Sequence, residues 1–296
     1  MVPSTSLWHP LFVAVLLLLA VVPVGIIFGG WASDADAAAA ADAAVTLRKV
    51  KAPAMSFESP VAYTCTAMLA TPEAWLLGFC GAAIIGSGNV LATNLAQIIE
   101  SSGASAELVP TTVTLFSSAN LLGRLLCNIP SDGMVRRGFP RPLALGGIAA
   151  LAATAHLALF AAAYREDAGG PEQATLLQFG AAVQGLAFGA LWPHLMVLTS
   201  ELFGSLHLSI NYMFFDGMCA SVGTLLLANA LPAAAYRAAA KGAQDCMGPN
   251  CFGPTHAVIA GLCVVAIGLS GIMSWRTAPL YRKIGEEQKR RSLYMC

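Results

Sequence analysis

Charge is scarce in this sequence. Asp, Glu, Lys and Arg make up 11% of its 296 residues, against 57% hydrophobic residues, and mean hydropathy is +0.68. Soluble domains carry about 25% charged residues, so a water-soluble globular class is excluded. Nucleic acid is not an expected partner. Other absences are more local. The last apolar run has no lysine, which excludes a retinal Schiff base there. The third apolar run ends in NIPSD, not in the acidic–Arg–aromatic triplet of seven-helix receptors. His156 and His194, deep in apolar runs, have no Cys, Ser or carboxylate beside them that would make a nucleophilic centre, and no metal motif occurs. No catalytic residue, metal or cofactor is therefore expected, and the chain does not read as an enzyme.

What is present is long apolar runs. A membrane-crossing helix needs about 20 mostly apolar residues. Seven stretches qualify, at about 11–30, 74–98, 110–130, 143–163, 174–198, 209–231 and 255–275. The predicted fold class is all-α, a polytopic membrane protein with seven transmembrane helices. The first run has no polar side chain and is flanked by Trp8 and Trp31. It reads as a lipid-facing span; the alternative, a signal peptide, conflicts with a flank that lacks Lys and Arg. Residues 32–71 form a low-complexity linker with room for a short surface helix.

The basic residues are one-sided. Twelve of sixteen fall after the first, third and seventh runs: Arg48, Lys49, Lys51, Arg136, Arg137, Arg141, Arg276, Arg282, Lys283, Lys289, Arg290 and Arg291. The positive-inside rule then predicts a non-cytoplasmic N-terminus and a cytoplasmic C-terminus, with 277–296 as a basic tail. Which membrane is not specified by this pattern.

The most informative stretch is Ser117–Arg141. Asn120, Arg124, Asn128 and Asp132 recur every four residues, which on a helix makes one polar stripe. A charge centred in a membrane costs roughly 2.5–3.5 kcal/mol by insertion scales unless it faces protein or water. The turn SDGMVRRG that follows places Asp132 near Arg136 and Arg137. It reads either as a solvated basic loop or as a charge latch holding a helix end to its neighbours.

Two runs carry ridges of small residues at a four-residue spacing: Gly78, Ala82 and Gly86 in one, Ala181, Gly185 and Gly189 in the other. Such ridges let helices approach closely. Pro193 is expected to kink the fifth run. His156, alone in an Ala/Leu helix, reads as a packed, hydrogen-bonded residue rather than a ligand. In the last loop Cys246 and Cys251 stand as a disulfide, as two separate thiols, or as part of a metal site with His256 as third ligand.

Ranked by polar content, runs two to seven read polar, polar, bare, polar, polar, bare. This is a three-helix repeat, and an odd helix count inverts its second copy. Inverted repeats with central polar groups mark transporters. The candidate substrate-binding residues are Asn89, Asn94, Gln97, Asn120, Arg124, Gln184, His194, Asp216 and Ser221. Arg124 would pair with an anionic solute or a carboxylate, and Asp216 would carry a coupling proton.

At these residues the chain resembles the C-terminal six-helix half of a major facilitator superfamily transporter, in its nodulin-like branch. The resembling patterns are Asn94-Leu-Ala-Gln97-Ile98; Ser117 to Asp132 with Asn120, Gly123-Arg124 and Ser131-Asp132; Ser200-Glu201-Leu-Phe-Gly204 before Asn211-Tyr212; Cys246-x-Gly248-x-x-Cys251-Phe252; and Arg276-Thr277 with Tyr281. The resemblance implies residues 72–276 as a transporter half and residues 1–31 as the last helix of a first half. It implies gating of alternating access through Gly123, Asp132, Arg136 and Arg137, with Asn128 standing where a glycine is common. It implies small solutes such as organic acids or amino acids as cargo. The chain then reads as a truncated transporter or as one half that pairs with a second six-helix half. A seven-helix receptor, or another non-transporting membrane protein, is the rival class.

Overall fold

The computed structural model describes residues 62–294, with side chains described up to 287. The first apolar run, Trp8 and Trp31, most of the linker and the basic residues Lys289, Arg290 and Arg291 lie outside what is described in full. Among the described residues the secondary structure is entirely helical.

A short helix α1 (Cys65–Leu69) precedes α2 (Pro72–Ser101). Thr71 caps α2 by accepting from the Ala74 amide, and Pro72 and Glu73 suit its first turn, where a missing N–H and a negative charge are both favourable. α3 (Leu108–Leu126) leads through Cys127, itself in helical geometry, into α4 (Asn128–Arg136). The expected tight turn SDGMVRRG is thus mostly helix; only Gly138, at φ 85°, makes the reversal, a conformation disfavoured for residues with a Cβ. α5 (Pro142–Ala163) and α6 (Pro171–Phe203) follow, and α6 runs through Pro193 before Gly204, at φ 86°, ends it. α7 (Leu208–Val222) continues as a π-helix (Gly223–Ala230) and then α8 (Leu231–Ala240). The last helix, α9 (Gly253–Tyr294), does not stop at residue 276. Tyr281 and Ile284, 0% and 1% exposed, keep it packed on the bundle, so the expected tail begins as helix.

Five of these rods are long and apolar enough to cross a membrane: Pro72–Ser101, Pro142–Ala163, Pro171–Phe203, Leu208–Ala240 and Gly253–Glu287. This is the build of a multi-pass membrane protein. α3 is of spanning length, but Asn120, Arg124 and its Ser and Thr residues leave it less apolar than the five. Residues 62–71 belong to the bundle rather than to a free linker: Met68 is fully buried, and the Tyr63 amide donates to the Phe203 carbonyl at 2.9 Å.

The small-residue ridges decide the pairing. A Cβ placed on Gly185 would lie 2.2 Å from the Phe116 carbonyl oxygen, and on Gly189 2.0 Å from that of Asn120. Gly123 meets the Leu186 carbonyl in return. α3 and α6 therefore touch backbone to backbone, as only glycine allows. Gly86 and Gly223 do the same for α2 and the π segment. The remaining rods, α5 and α9, pack against each other; α5 also packs on α6, and α9 on α2. α2 lies at the centre of the core.

Candidate functional site

The α3–α6 contact positions the polar stripe. Because Gly189 admits the backbone of Asn120, one turn further along α3 the Arg124 guanidinium sits 5.8 Å from the Trp192 ring of α6, within cation–π range. Arg124 Nε donates to Asn120 Oδ1 at 3.1 Å. Its two Nη groups make no hydrogen bond among the described residues, and the side chain is exposed. From α7, Tyr212 lies within electrostatic range of both Arg124 and Asp216, and both α7 residues are half-buried. Arg124 is thus an exposed cation at the α3–α6 contact whose Nη donors are unused. Chemically, this arrangement suits a carboxylate or phosphate oxygen.

The other candidate residues fall elsewhere. Asn89 Nδ2 donates to Thr224 Oγ1 at 2.8 Å, and Asn94 Nδ2 to the Ala228 carbonyl at 3.1 Å. Both fasten α2 to the π segment, whose widened turns leave carbonyls open to side-chain donors. Gln97 and Ser221 are exposed. Gln184 is fully buried and donates to Ser87 Oγ at 2.8 Å. His194 is buried close to Arg141 and Asp132. The nine residues therefore form separate groups; of them, Asn120 and Arg124 bond to each other along α3, with Arg124 exposed.

The basic end of the bundle holds a denser network. Arg141 makes a forked pair with Glu201, Nε to Oε2 at 2.8 Å and Nη2 to Oε1 at 2.9 Å. Its Nη1 donates to Ser131 Oγ at 2.6 Å and pairs with Asp132 at 2.8 Å. Tyr281 donates its hydroxyl to Glu201 Oε2 at 2.8 Å. α4, the start of α5, the end of α6 and α9 are thereby tied at one point. Burial pulls the Arg141 pKa down, but hydrogen bonding and charge from Glu201, then Asp132, outweigh it and leave the group above its ordinary value. Beside this network Arg276 pairs with Glu73 at 2.7 Å, joining α9 to α2.

Sequence spacing put Arg136 and Arg137 opposite Asp132. In the fold both are exposed and make no ion pair among the described residues, while Asp132 turns to Arg141. Sequence reasoning missed Arg141, Glu201 and Tyr281 as partners. One signal was available: Glu201 is a lone carboxylate at the basic end of a long apolar run, and it needs a cation.

At the opposite end Cys246 and Cys251 are disulfide-bonded, with Cα atoms 5.9 Å apart. The Gly248 amide ties this loop to the Ser101 carbonyl at 2.7 Å. His256 is not a third ligand there; its Nδ1 lies 3.0 Å from Nδ1 of His156. Among the described residues no group of three His, Cys, Asp or Glu stands close enough to hold a metal.

Comparison with known proteins places this architecture. The family model described as NFD4, C-terminal domain, matches residues 64–283. The chain belongs to that family. A curated relative of this NFD4 C-terminal domain is the protein NUCLEAR FUSION DEFECTIVE 4 of Arabidopsis thaliana, 28% identical over 218 residues. The match covers 71% of this chain and 35% of that protein, so the chain spans little more than a third of its relative. No solved structure matches. The matched region takes in both the Arg124 site and the Arg141–Glu201 network.

Proposed function

We propose that the chain is the C-terminal half of a secondary transporter of major facilitator type, nodulin-like branch, which moves a small anionic solute by alternating access. The observation that carries this reading is Arg124, a cation on a membrane-length helix, braced by Asn120 and Trp192 and facing outward with free donors. Such a group is tolerated where it faces a polar path rather than acyl chains. An organic acid or an amino acid supplies the matching carboxylate, and in this reading Asp216 is the candidate carrier of the coupling proton.

The packing supports the inverted repeat behind the reading. If α2, α3 and α5 exchange with α6, α7 and α9, the pairings of α2 with α7 and its π continuation become those of α6 with α3, and α5·α9 maps onto itself. Transporters built on inverted repeats place cargo between the copies. In this reading the Arg141–Glu201–Asp132 network closes the basic, cytoplasmic end, and a second six-helix half completes the path.

The test is solute uptake by the full-length transporter reconstituted in liposomes. Arg124→Ala is expected to lower uptake of a carboxylate cargo at least tenfold, and Arg124→Lys to restore part of it. Unchanged uptake in Arg124→Ala would remove the assigned role. Ligand-stimulated signalling without flux would favour a receptor.

A further inference from the structure

A second polar centre lies inside the bundle, away from Arg124. His156 of α5 and His256 of α9 are both fully buried, with Nδ1 atoms 3.0 Å apart and ring centroids at 5.2 Å. His156 Nε2 lies 3.3 Å from the Ser87 carbonyl oxygen of α2. A carbonyl only accepts, so His156 Nε2 carries the proton and its Nδ1 is bare. His256 must then donate from Nδ1, which leaves His256 Nε2 as a bare acceptor. That nitrogen is buried and has no partner. His256 also lines a cavity of about 10 Å³ with Ser101, Ser102, Leu159, Leu177 and Phe252. The cavity lies below the disulfide loop and is about the size that admits one water.

We propose that His156 and His256 form a single-proton site, fed by water from the end of the bundle that carries the Cys246–Cys251 loop. A hydronium in the cavity gives its proton to His256 Nε2 and is left as water. The added charge is shared through the Nδ1–H···Nδ1 bond, which becomes charge-assisted. A second proton would have to sit on His156 Nδ1, facing the His256 Nδ1–H at 3.0 Å, donor against donor. The pair therefore takes one proton, not two. His256 senses the charge of His156, and His156 is bonded to the Ser87 carbonyl. From α2 the nearby group is Ser87, from α6 it is Gln184, held on Ser87, and from α9 it is the Cys263 thiol, also bonded to Ser87. Among the described residues no carboxylate bonds to either histidine. Uptake tightens the α5–α9 junction, so the bundle senses acid on that side whatever it transports.

The experiment is a ring-¹⁵N histidine titration of the full chain in lipid nanodiscs, from pH 7.5 down to 4. The two rings are expected to move together, to show coupling across an N–H···N bond, and to take up one proton between them. His256→Asn keeps a donor at the Nδ1 position but has no Nε2, and it is expected to abolish uptake in a folded protein. Two protons bound independently, no uptake before unfolding, or uptake surviving in folded His256→Asn would each overturn the proposal. Should His256→Asn not fold, the wild-type titration decides alone.

Discussion

Arg141 and Glu201, sixty residues apart, meet as a forked ion pair at the basic end of the bundle, with side chains 4% and 14% exposed. Neither is placed by its own helix alone: Arg141 caps α5 and Glu201 closes α6. Between them they fix how α4, α5, α6 and α9 meet. Breaking a buried pair strands a charge, which costs about 3–5 kcal/mol.

Glu201→Ala is therefore expected to destabilise the protein by about 3–5 kcal/mol. Asp132→Ala should cost under about 1 kcal/mol, because the Asp132 side chain is 52% exposed. Thermal unfolding in detergent gives the ranking. Equal losses for the two variants would show that Arg141 does not depend on Glu201.

A second expectation concerns helix spacing. Gly189→Ala would push a methyl group into the Asn120 carbonyl and should cost about 1–3 kcal/mol through overpacking. Gly147→Ala on α5 meets nothing within 4 Å and should be neutral or stabilising by up to about 1 kcal/mol. Unfolding curves for the two variants check the contrast. A neutral Gly189→Ala would mean that α3 and α6 do not pack backbone to backbone.

The π segment is expected to depend on Asn94. Asn94→Leu removes the bond to the Ala228 carbonyl, worth roughly 0.6–2 kcal/mol between membrane helices. Amide hydrogen exchange should speed up at residues 224–230 and stay unchanged in α5. Uniform exchange across the chain would place the restraint elsewhere.

The α5–α6 connection gives a pH signature. Arg165 pairs with Asp167 at 2.9 Å and with Glu172. The hydrogen bond from Arg165 holds the Asp167 pKa below its ordinary value of 3.8. A lowered carboxylate value stabilises above the unfolded value, and the contribution fades as pH falls through the folded one. Exchange in residues 165–172 should therefore be flat at neutral pH and rise only in acid, and Arg165→Gln should move its onset upward. For Arg141 the sign is opposite: a raised value keeps its own contribution intact until strongly alkaline pH.

Much of the candidate site was only half-legible in the sequence. The four-residue spacing of Asn120 and Arg124 is a local property, and they do bond along one helix face. Gln184 has an equally polar signature but turns inward to Ser87, because which flank of α6 meets α2 depends on how the rods are arranged. The Asp132 pairing failed for the same reason: Arg136 and Arg137 are near in sequence, yet the fold carries Asp132 to Arg141.

By itself the sequence determined the helical class, the apolar rods and the glycine ridges along which they approach, since hydropathy and small-residue spacing act within each helix. Only the tertiary structure decided that Arg141 meets Glu201, that His156 meets His256, and that α9 stays packed beyond residue 276. Those contacts join residues separated by sixty to a hundred positions. Helical periodicity specifies which residues share a face, but which faces meet follows from packing all the rods at once.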